Sequence, residues 1–386
     1  MEKETLCKTE HNVGIITYHG ADNYGSVLQA YALMKTVNSV PNVKCNIINY
    51  VSKAQKEMYG VFFSSNSINN NLKNLYILLF QRKIRIRKKE SFLFFRKKYL
   101  NLFPEKVSDS VLEIDIDNYD ALICGSDQVW NIRIKDYSDI YMLSGFKNVK
   151  KMSYAASMGG LNLHLSEKEQ KQIADNLKNF SGVSVRETIA SDMLSKSGIS
   201  EAEILIDPTF LLSVDEWKEI MTDRAIAGDY IFFYSVDYNE DSIKIARWFG
   251  KEFNLPVVIM FTSWRSYFIC KDGICWAGKT GVGDFLSLVF YATLVISGSF
   301  HGTAFSLIFN KPFFRIQKIK KGELLNDDRI HTLFDKLGVK EREITIQNYK
   351  DASSKVAEID YRQINRMILH EKDTALDYLN RILINT

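Results

Sequence analysis

The chain has 386 residues, 46% of them hydrophobic and 25% charged, with a formal net charge of +4. Those fractions exclude wholesale disorder and fibrous repeats, and the length suggests two domains or one large elaborated one. No run of about 18 apolar residues occurs, so no membrane-spanning helix is expected. The charged start Met1-Glu2-Lys3-Glu4 lacks the apolar stretch of a secretory signal. Five scattered cysteines (Cys7, Cys45, Cys124, Cys270 and Cys275) lack paired metal-ligand spacing, which predicts reduced thiols, no metal site and a cytoplasmic setting. So mild a net charge calls for no nucleic-acid partner.

The first apolar run, Val13–Tyr18, reads as a buried strand, followed by a polar loop and a helical pattern from Gly25 to Met34. Cys45–Tyr50 is the next strand, and the Asn/Ser-rich stretch Ser64–Asn74 reads as a loop. Further strands are expected at 121–124, 151–157, 182–186 and 204–206, each ending in polar residues or glycine. A second half opens at Tyr230–Ser235 and continues with a helix (Asp241–Phe253), a strand (Pro256–Met260), a helix (Val282–Tyr291) and a strand (Thr293–Ser297). A long helix is expected over Asp351–Ile384.

Short apolar runs alternating with helical stretches indicate βαβ units and parallel sheets. The predicted fold class is α/β, with two Rossmann-like domains facing across a cleft. Residues 1–212 form the first domain, 213–350 the second, and 351–386 a helix packing back toward the first.

The charge is uneven. Between Arg82 and Lys98 there are nine basic residues against one acid, Glu90, interleaved with Phe92-Leu93-Phe94-Phe95 and preceded by the apolar run Leu75–Phe80. A cationic and aromatic helix of this kind suits an anionic membrane surface; a solvated helix packed on its own domain is the plainer alternative. Both readings stay open from the charge pattern alone, and residues 75–100 are the candidate segment for peripheral attachment to the inner face of the cytoplasmic membrane.

In doubly wound sheets, ligands bind beyond the carboxyl ends of the strands. The first half offers Asn23-Tyr24-Gly25, Asp127-Gln128 with Trp130 and Asn131, and Arg186. The second offers Ser299-Phe300-His301-Gly302-Thr303 at a strand-to-helix junction, where a helix N-terminus favours anions. A capping or core role is the alternative for His301. For Arg186 the alternative is an ion pair with Glu187 or Asp207. No Walker A, dinucleotide-binding or nucleophile-elbow motif is present.

These segments together resemble one family. Gly14–Tyr18 with Asn23–Leu33, Tyr119–Asn131, Ser153–Ser157, Ser184–Glu187, Asp207-Pro208-Thr209, Ser297–Ser306 and Asp328-Arg329-Ile330 are similar, in order, to motifs of the polysaccharide pyruvyl transferases. The resemblance implies a GT-B-like fold and transfer of pyruvate from phosphoenolpyruvate, as co-substrate and with no cofactor, onto a sugar as a ketal. The acceptor would be a bacterial surface polysaccharide or its lipid-linked precursor.

Carried over by position, Arg186 would hold the donor's phosphate or carboxylate, and His301 would be the acid/base. Ser299, Gly302 and Thr303 would border the donor. Many members of that family carry Arg-Leu-His where this chain has Ser299-Phe300-His301, and Arg329 or Lys311 would then replace the arginine. Asn23, Tyr24, Gly25, Asp127, Gln128, Trp130 and Asn131 would hold the acceptor. Two rivals share the architecture: a glycosyltransferase using a nucleotide sugar, and a catalytically idle glycan-binding protein.

Overall fold

The computed structural model describes residues 10–64, 67–109, 116–160, 165–200, 202–262, 266, 268–317, 319–320 and 323–384. The first half alternates strands and helices. It runs β1 (His11–Ile16), α1 (Tyr24–Val37), β2 (Val43–Tyr50), α2 (Lys53–Met58), α3 (Ile68–Tyr76), a π-helical turn (Ile77–Gln81), α4 (Arg82–Tyr99) and β3 (Leu102–Ser108). Then come β4 (Ala121–Asp127), β5 (Lys150–Ala156), α5 (Glu167–Leu177), β6 (Ser184–Val185), α6 (Thr188–Lys196) and β7 (Glu203–Ile204). The strands form one parallel sheet in the order β3-β2-β1-β4-β5-β6-β7.

After α7 (Val214–Lys218), the second half contains β8 (Ile231–Tyr234), α8 (Glu240–Glu252), β9 (Val257–Ile259), β10 (Ile274–Trp276), α9 (Val282–Phe290), β11 (Leu294–Ser297), α10 (Phe300–Ile308) and β12 (Phe313–Ile316). A small antiparallel pair follows, β13 (Ile319–Lys320) and β14 (Glu323–Leu324), then α11 (Asp328–Leu337), β15 (Glu343–Ile344) and α12 (Tyr361–Ile384). The second sheet is parallel, in the order β10-β9-β8-β11-β12-β15. Both sheets are doubly wound, with their order reversing between β1 and β4 and between β8 and β11.

The predicted fold class stands. Six strands, β3, β10, β12, β13, β14 and β15, were not expected. Three of them are sheet edges: β3 carries Pro104, which only an edge strand tolerates well, and β10 and β15 are too short to show periodicity. The stretch expected as a loop over Ser64–Asn74 holds the first seven residues of α3. Ser67 caps it by accepting from the Asn70 amide, and Ile68, Leu72 and Leu75 recur at helical spacing. The last helix starts ten residues later than expected. Asp360 accepts from the amides of Arg362 and Gln363, which starts α12 at Tyr361.

A single apolar cluster runs through both halves. Tyr24 of α1 stacks on Phe285 of α9 with ring centroids 5.2 Å apart, and its hydroxyl donates to the Thr280 carbonyl. Trp217 of α7 packs against Tyr31 of α1 and Phe305 of α10. The C-terminal helix returns to the first sheet, where the Tyr378 hydroxyl donates to the Ser153 carbonyl at 2.7 Å. Among the described residues no helix is long and apolar enough to cross a membrane, and Cys45, Cys124, Cys270 and Cys275 are free thiols.

Candidate active site

The two points where strand order reverses face each other, and a 250 Å³ cavity lies between them. Asn23, Asp127 and Gln128 line it from beyond β1 and β4. Val236 and Gly298 to His301 line it from beyond β8 and β11. Arg315 at the end of β12 and Leu325, Asp327 and Arg329 around the start of α11 complete the wall. This is where a doubly wound sheet is expected to place a ligand, here contributed by two sheets at once.

Three helices begin at the cavity, α1, α10 and α11. Asn23 caps α1 by accepting from the Gly25 amide, and Ser299 is the residue before α10. The N-termini of α1 and α10 come so close that a Cβ on Gly25 would overlap the His301 ring. Glycine is needed there for the approach itself, not for its backbone freedom. Thr303 and Gly302 build the first turn of α10: the Thr303 hydroxyl donates to the Ser299 carbonyl, and Gly302 packs against Ser297.

Behind the cavity the short strands β6 and β7 end side by side and deliver Arg186 and Asp207. Arg186 Nη2 lies 2.8 Å from Asp207 Oδ2, and both side chains are buried. His301 Nε2 reaches the same carboxylate oxygen at 3.6 Å, a distance for charge interaction but long for a hydrogen bond. Asp207 Oδ1 accepts from the Thr209 amide and hydroxyl, which fixes the carboxylate. Burial alone would raise the Asp207 carboxyl, but Arg186 and then His301 outweigh it and hold the group well below the usual carboxylate range. Asp207 is therefore held as a carboxylate, balanced by Arg186 and facing one edge of the imidazole, with Nδ1 on the side of Gly25.

Arg186 does not line the cavity. Its guanidinium carbon sits 4.8 Å from the centre of the Phe300 ring, and Phe300 forms the wall in front of it. The ion-pair alternative is what the structure shows, with Asp207 as the partner. Among the described residues its Nε and Nη1 have no hydrogen-bond partner.

Glu187, next in the chain, accepts from the Met158 amide and the Ser157 hydroxyl. Burial pushes its carboxyl up to about 7 against the opposing pull of Arg186 and Arg329.

The cavity's own cations are Arg315 and Arg329. Arg329 grips Asp327 through Nε at 2.8 Å and Nη2 at 2.9 Å, and Arg315 reaches Asp327 at 3.4 Å and Glu343 at 3.4 Å. Burial pushes the Asp327 carboxyl up, but Arg329 and then Arg315 overcome it and hold the group below its ordinary value. Two guanidiniums thus share one wall, partly neutralised by carboxylates.

Of the residues expected at the donor, Arg329, Ser299 and His301 are brought together. Lys311 is not: its ammonium lies over the Phe290 ring, away from the cavity. On the acceptor side, Asn23, Asp127 and Gln128 reach the cavity, and Asn131 stands behind Gln128, donating to its Oε1 at 2.9 Å. Asp127 adopts a left-handed backbone (φ 68°) and accepts from the Ser26 hydroxyl and the Gln128 amide. It orients these loops as well as lining the wall.

Trp130 is fully buried, its indole N–H donating to the Tyr141 carbonyl, so it offers no face to a sugar. Tyr24 is likewise spent on the contact between the two halves. Sequence reasoning missed Arg315, Asp327 and Val236. The one available signal was an arginine interrupting the apolar run Phe313-Phe314-Arg315-Ile316. Among the described residues no group of three or more His, Cys, Asp or Glu side chains could hold a metal ion.

Comparison with known structures supports the architecture. A putative UDP-N-acetylglucosamine 2-epimerase from Listeria monocytogenes aligns with a TM-score of 0.54 at 9% identity, over 98% of this chain and 98% of that one. UDP-GlcNAc 2-epimerase from Neisseria meningitidis, bound to UDP-GlcNAc, gives 0.52 at 9% identity, over 97% of this chain and 100% of the other. At such identities the likeness is one of fold, the GT-B arrangement of two Rossmann-like sheets. No curated protein matches the chain in sequence. A model of the family described as polysaccharide pyruvyl transferase matches residues 23–317. That match spans most of the chain and encloses Arg186, Asp207 and His301; the chain belongs to the polysaccharide pyruvyl transferase family.

Proposed function

We propose that the protein transfers pyruvate from phosphoenolpyruvate to two hydroxyls of one sugar, forming a ketal and releasing inorganic phosphate. The observation that carries this reading is His301 on the wall of an arginine-lined cavity, backed by the buried Asp207–Arg186 pair. Phosphoenolpyruvate carries a carboxylate and a phosphate, and Arg315, Arg329 and the N-termini of α1 and α10 are the groups to receive them.

The chemistry balances with the residues present. Protonated His301, steadied by Asp207, gives its proton to C3 of phosphoenolpyruvate. The first sugar hydroxyl bonds to C2 and returns its proton to the imidazole. Phosphate then departs with the C2–O bonding pair, its charge met by the arginines. The second hydroxyl bonds to the resulting oxocarbenium carbon, and its proton leaves with the phosphate. Asn23 and Gln128 are the polar side chains placed to orient the hydroxyls. Arg186, behind Phe300, acts through Asp207 and is a positioning residue in this scheme.

The test is a mass-spectrometric assay with phosphoenolpyruvate and galactose-, mannose- and glucose-terminated acceptors, alongside phosphate release. His301→Gln is expected to lower transfer by about 10²–10⁴-fold. Near-normal transfer by that variant removes His301 from the mechanism. Nucleoside diphosphate release from a sugar nucleotide, with no turnover of phosphoenolpyruvate, overturns the reading.

A further inference from the structure

The segment from α3 to α4 presents apolar side chains to the outside in a pattern unlike the rest of the molecule. Ile68, Leu72, Leu75 and Leu79 follow one another at spacings of four, three and four, on one face of the helix, and all are exposed (81% at Ile68, 64% at Leu79). Helix α3 buries none of its residues. The π-helical turn buries Ile77 and Gln81 but leaves Leu78, Leu79 and Phe80 outside. Phe62, Phe63 and Phe268 extend the surface, the last stacked on Tyr76 at 5.6 Å. An apolar surface this continuous marks an interaction site.

Its charge identifies the partner. From Val61 to Tyr99 there are ten cationic residues and one acid, Glu90. Arg82, Lys83, Arg87, Lys97 and Lys98 are exposed, and Lys73 and Lys98 lie over the exposed Phe63 and Phe94 rings. A second copy docking through the same face would set ten cations against ten with almost no carboxylate between them. An apolar ligand would leave the cations without a purpose. Hydrocarbon beside phosphate satisfies both sets of side chains.

We propose that this surface docks the protein peripherally on an anionic lipid bilayer. Leu72, Leu75, Leu79 and Phe80 enter the boundary of the acyl region, and Arg82, Lys83 and Arg87 meet headgroup phosphates. The same helix runs to the seam beside the cavity between the sheets: the Lys88 ammonium lies 5.4 Å from the centre of the Tyr24 ring, one residue from Asn23, which lines the cavity. A second cavity of 680 Å³ is lined by Lys89, Leu93 and Lys97 on α4 and by Gly20 and Asp22 beside that loop. Docking on α4 thus brings a lipid surface alongside the acceptor side of the site. The proposal rests on this surface alone and stands whatever the donor is.

The test is sedimentation of the full chain with vesicles of phosphatidylcholine, with and without phosphatidylglycerol. Wild type is expected to pellet only with the anionic vesicles, and less at high salt. Arg82→Gln/Lys83→Gln/Arg87→Gln is expected to weaken binding about a hundredfold, and Leu75→Ser/Leu79→Ser/Phe80→Ser at least tenfold. Because all six side chains are surface-accessible, far-ultraviolet circular dichroism should be unchanged. Wild type remaining in the supernatant, or both variants binding as it does, overturns the proposal. So does a wild-type dimer without lipid that the leucine variant abolishes, which would assign the surface to a second copy.

Discussion

Asp207→Asn is the most informative single change, because it removes one charge and almost no volume. The carboxylate side chain is 0% exposed and that of Arg186 2%, so the substitution strands a buried guanidinium. Breaking such a pair from one side costs about 3–5 kcal/mol. Asparagine keeps an oxygen for the Thr209 amide and hydroxyl, so the turn itself should survive. At 3.6 Å from His301, the attraction of the anion for an imidazolium is on the order of 4 kcal/mol at an effective dielectric of about 20. If about 3 kcal/mol of that survives solvent competition, kcat should fall by roughly two orders of magnitude.

Phosphate release gives the rate, and urea unfolding gives the stability. The double variant Arg186→Leu/Asp207→Asn separates the two effects, since it also removes the stranded cation. It should recover part of the stability and none of the activity. Asp207→Asn within tenfold of wild-type kcat would refute this role of Asp207. So would a double variant whose activity returns along with its stability, because Asp207 would then serve folding alone.

Two further outcomes follow from the same corner. The Glu187 carboxyl titrates near 7 in the folded protein against 4.5 ordinarily, so the folded state keeps a proton that the unfolded chain has released. Its contribution is complete below about pH 4.5 and is lost as pH rises toward 7, on the order of 3 kcal/mol. Measured by urea unfolding across that window, Glu187→Gln should gain relative to wild type, and a constant difference would contradict the assignment. Gly25→Ala should cost about 1–3 kcal/mol of stability, since its Cβ would overlap the buried His301 ring. Its Cβ must displace His301, so pyruvyl transfer should drop at least about a hundredfold; a fully active variant would show that His301 needs no fixed position.

Much of this site could be read before any coordinates. Asn23, Asp127, Gln128, Ser299 and His301 each follow an apolar run, and that position in a doubly wound sheet dictates where they meet. What stayed hidden depends on contacts distant in sequence. Asp207 was one of two acids open as the partner of Arg186; that it is chosen over Glu187, and that His301 shares it, is fixed only when β6 and β7 pair and the second sheet folds against the first. Trp130 looked like a sugar platform, but nothing local announces that its indole points at Tyr141. Arg315 and Asp327 lie on either side of the β13–β14 pair, and their shared charge is invisible to spacing. In the fold, the long central strands were legible, while β10 and β15, two to three residues at the edges of the second sheet, carry no periodicity.

The stack of Tyr24 on Phe285 has a consequence for how the enzyme can work. Tyr24 is the first residue of α1, immediately after Asn23 at the cavity, and its ring and hydroxyl are both anchored in the opposite half. With Trp217 wedged between Tyr31 and Phe305, the seam between the sheets is bolted close to the chemistry. A clamshell that opens and shuts around substrate would have to pull these aromatic rings apart on every turnover. The jaws are instead held at a set gauge, and substrates enter past loops into a vestibule whose width folding has already determined.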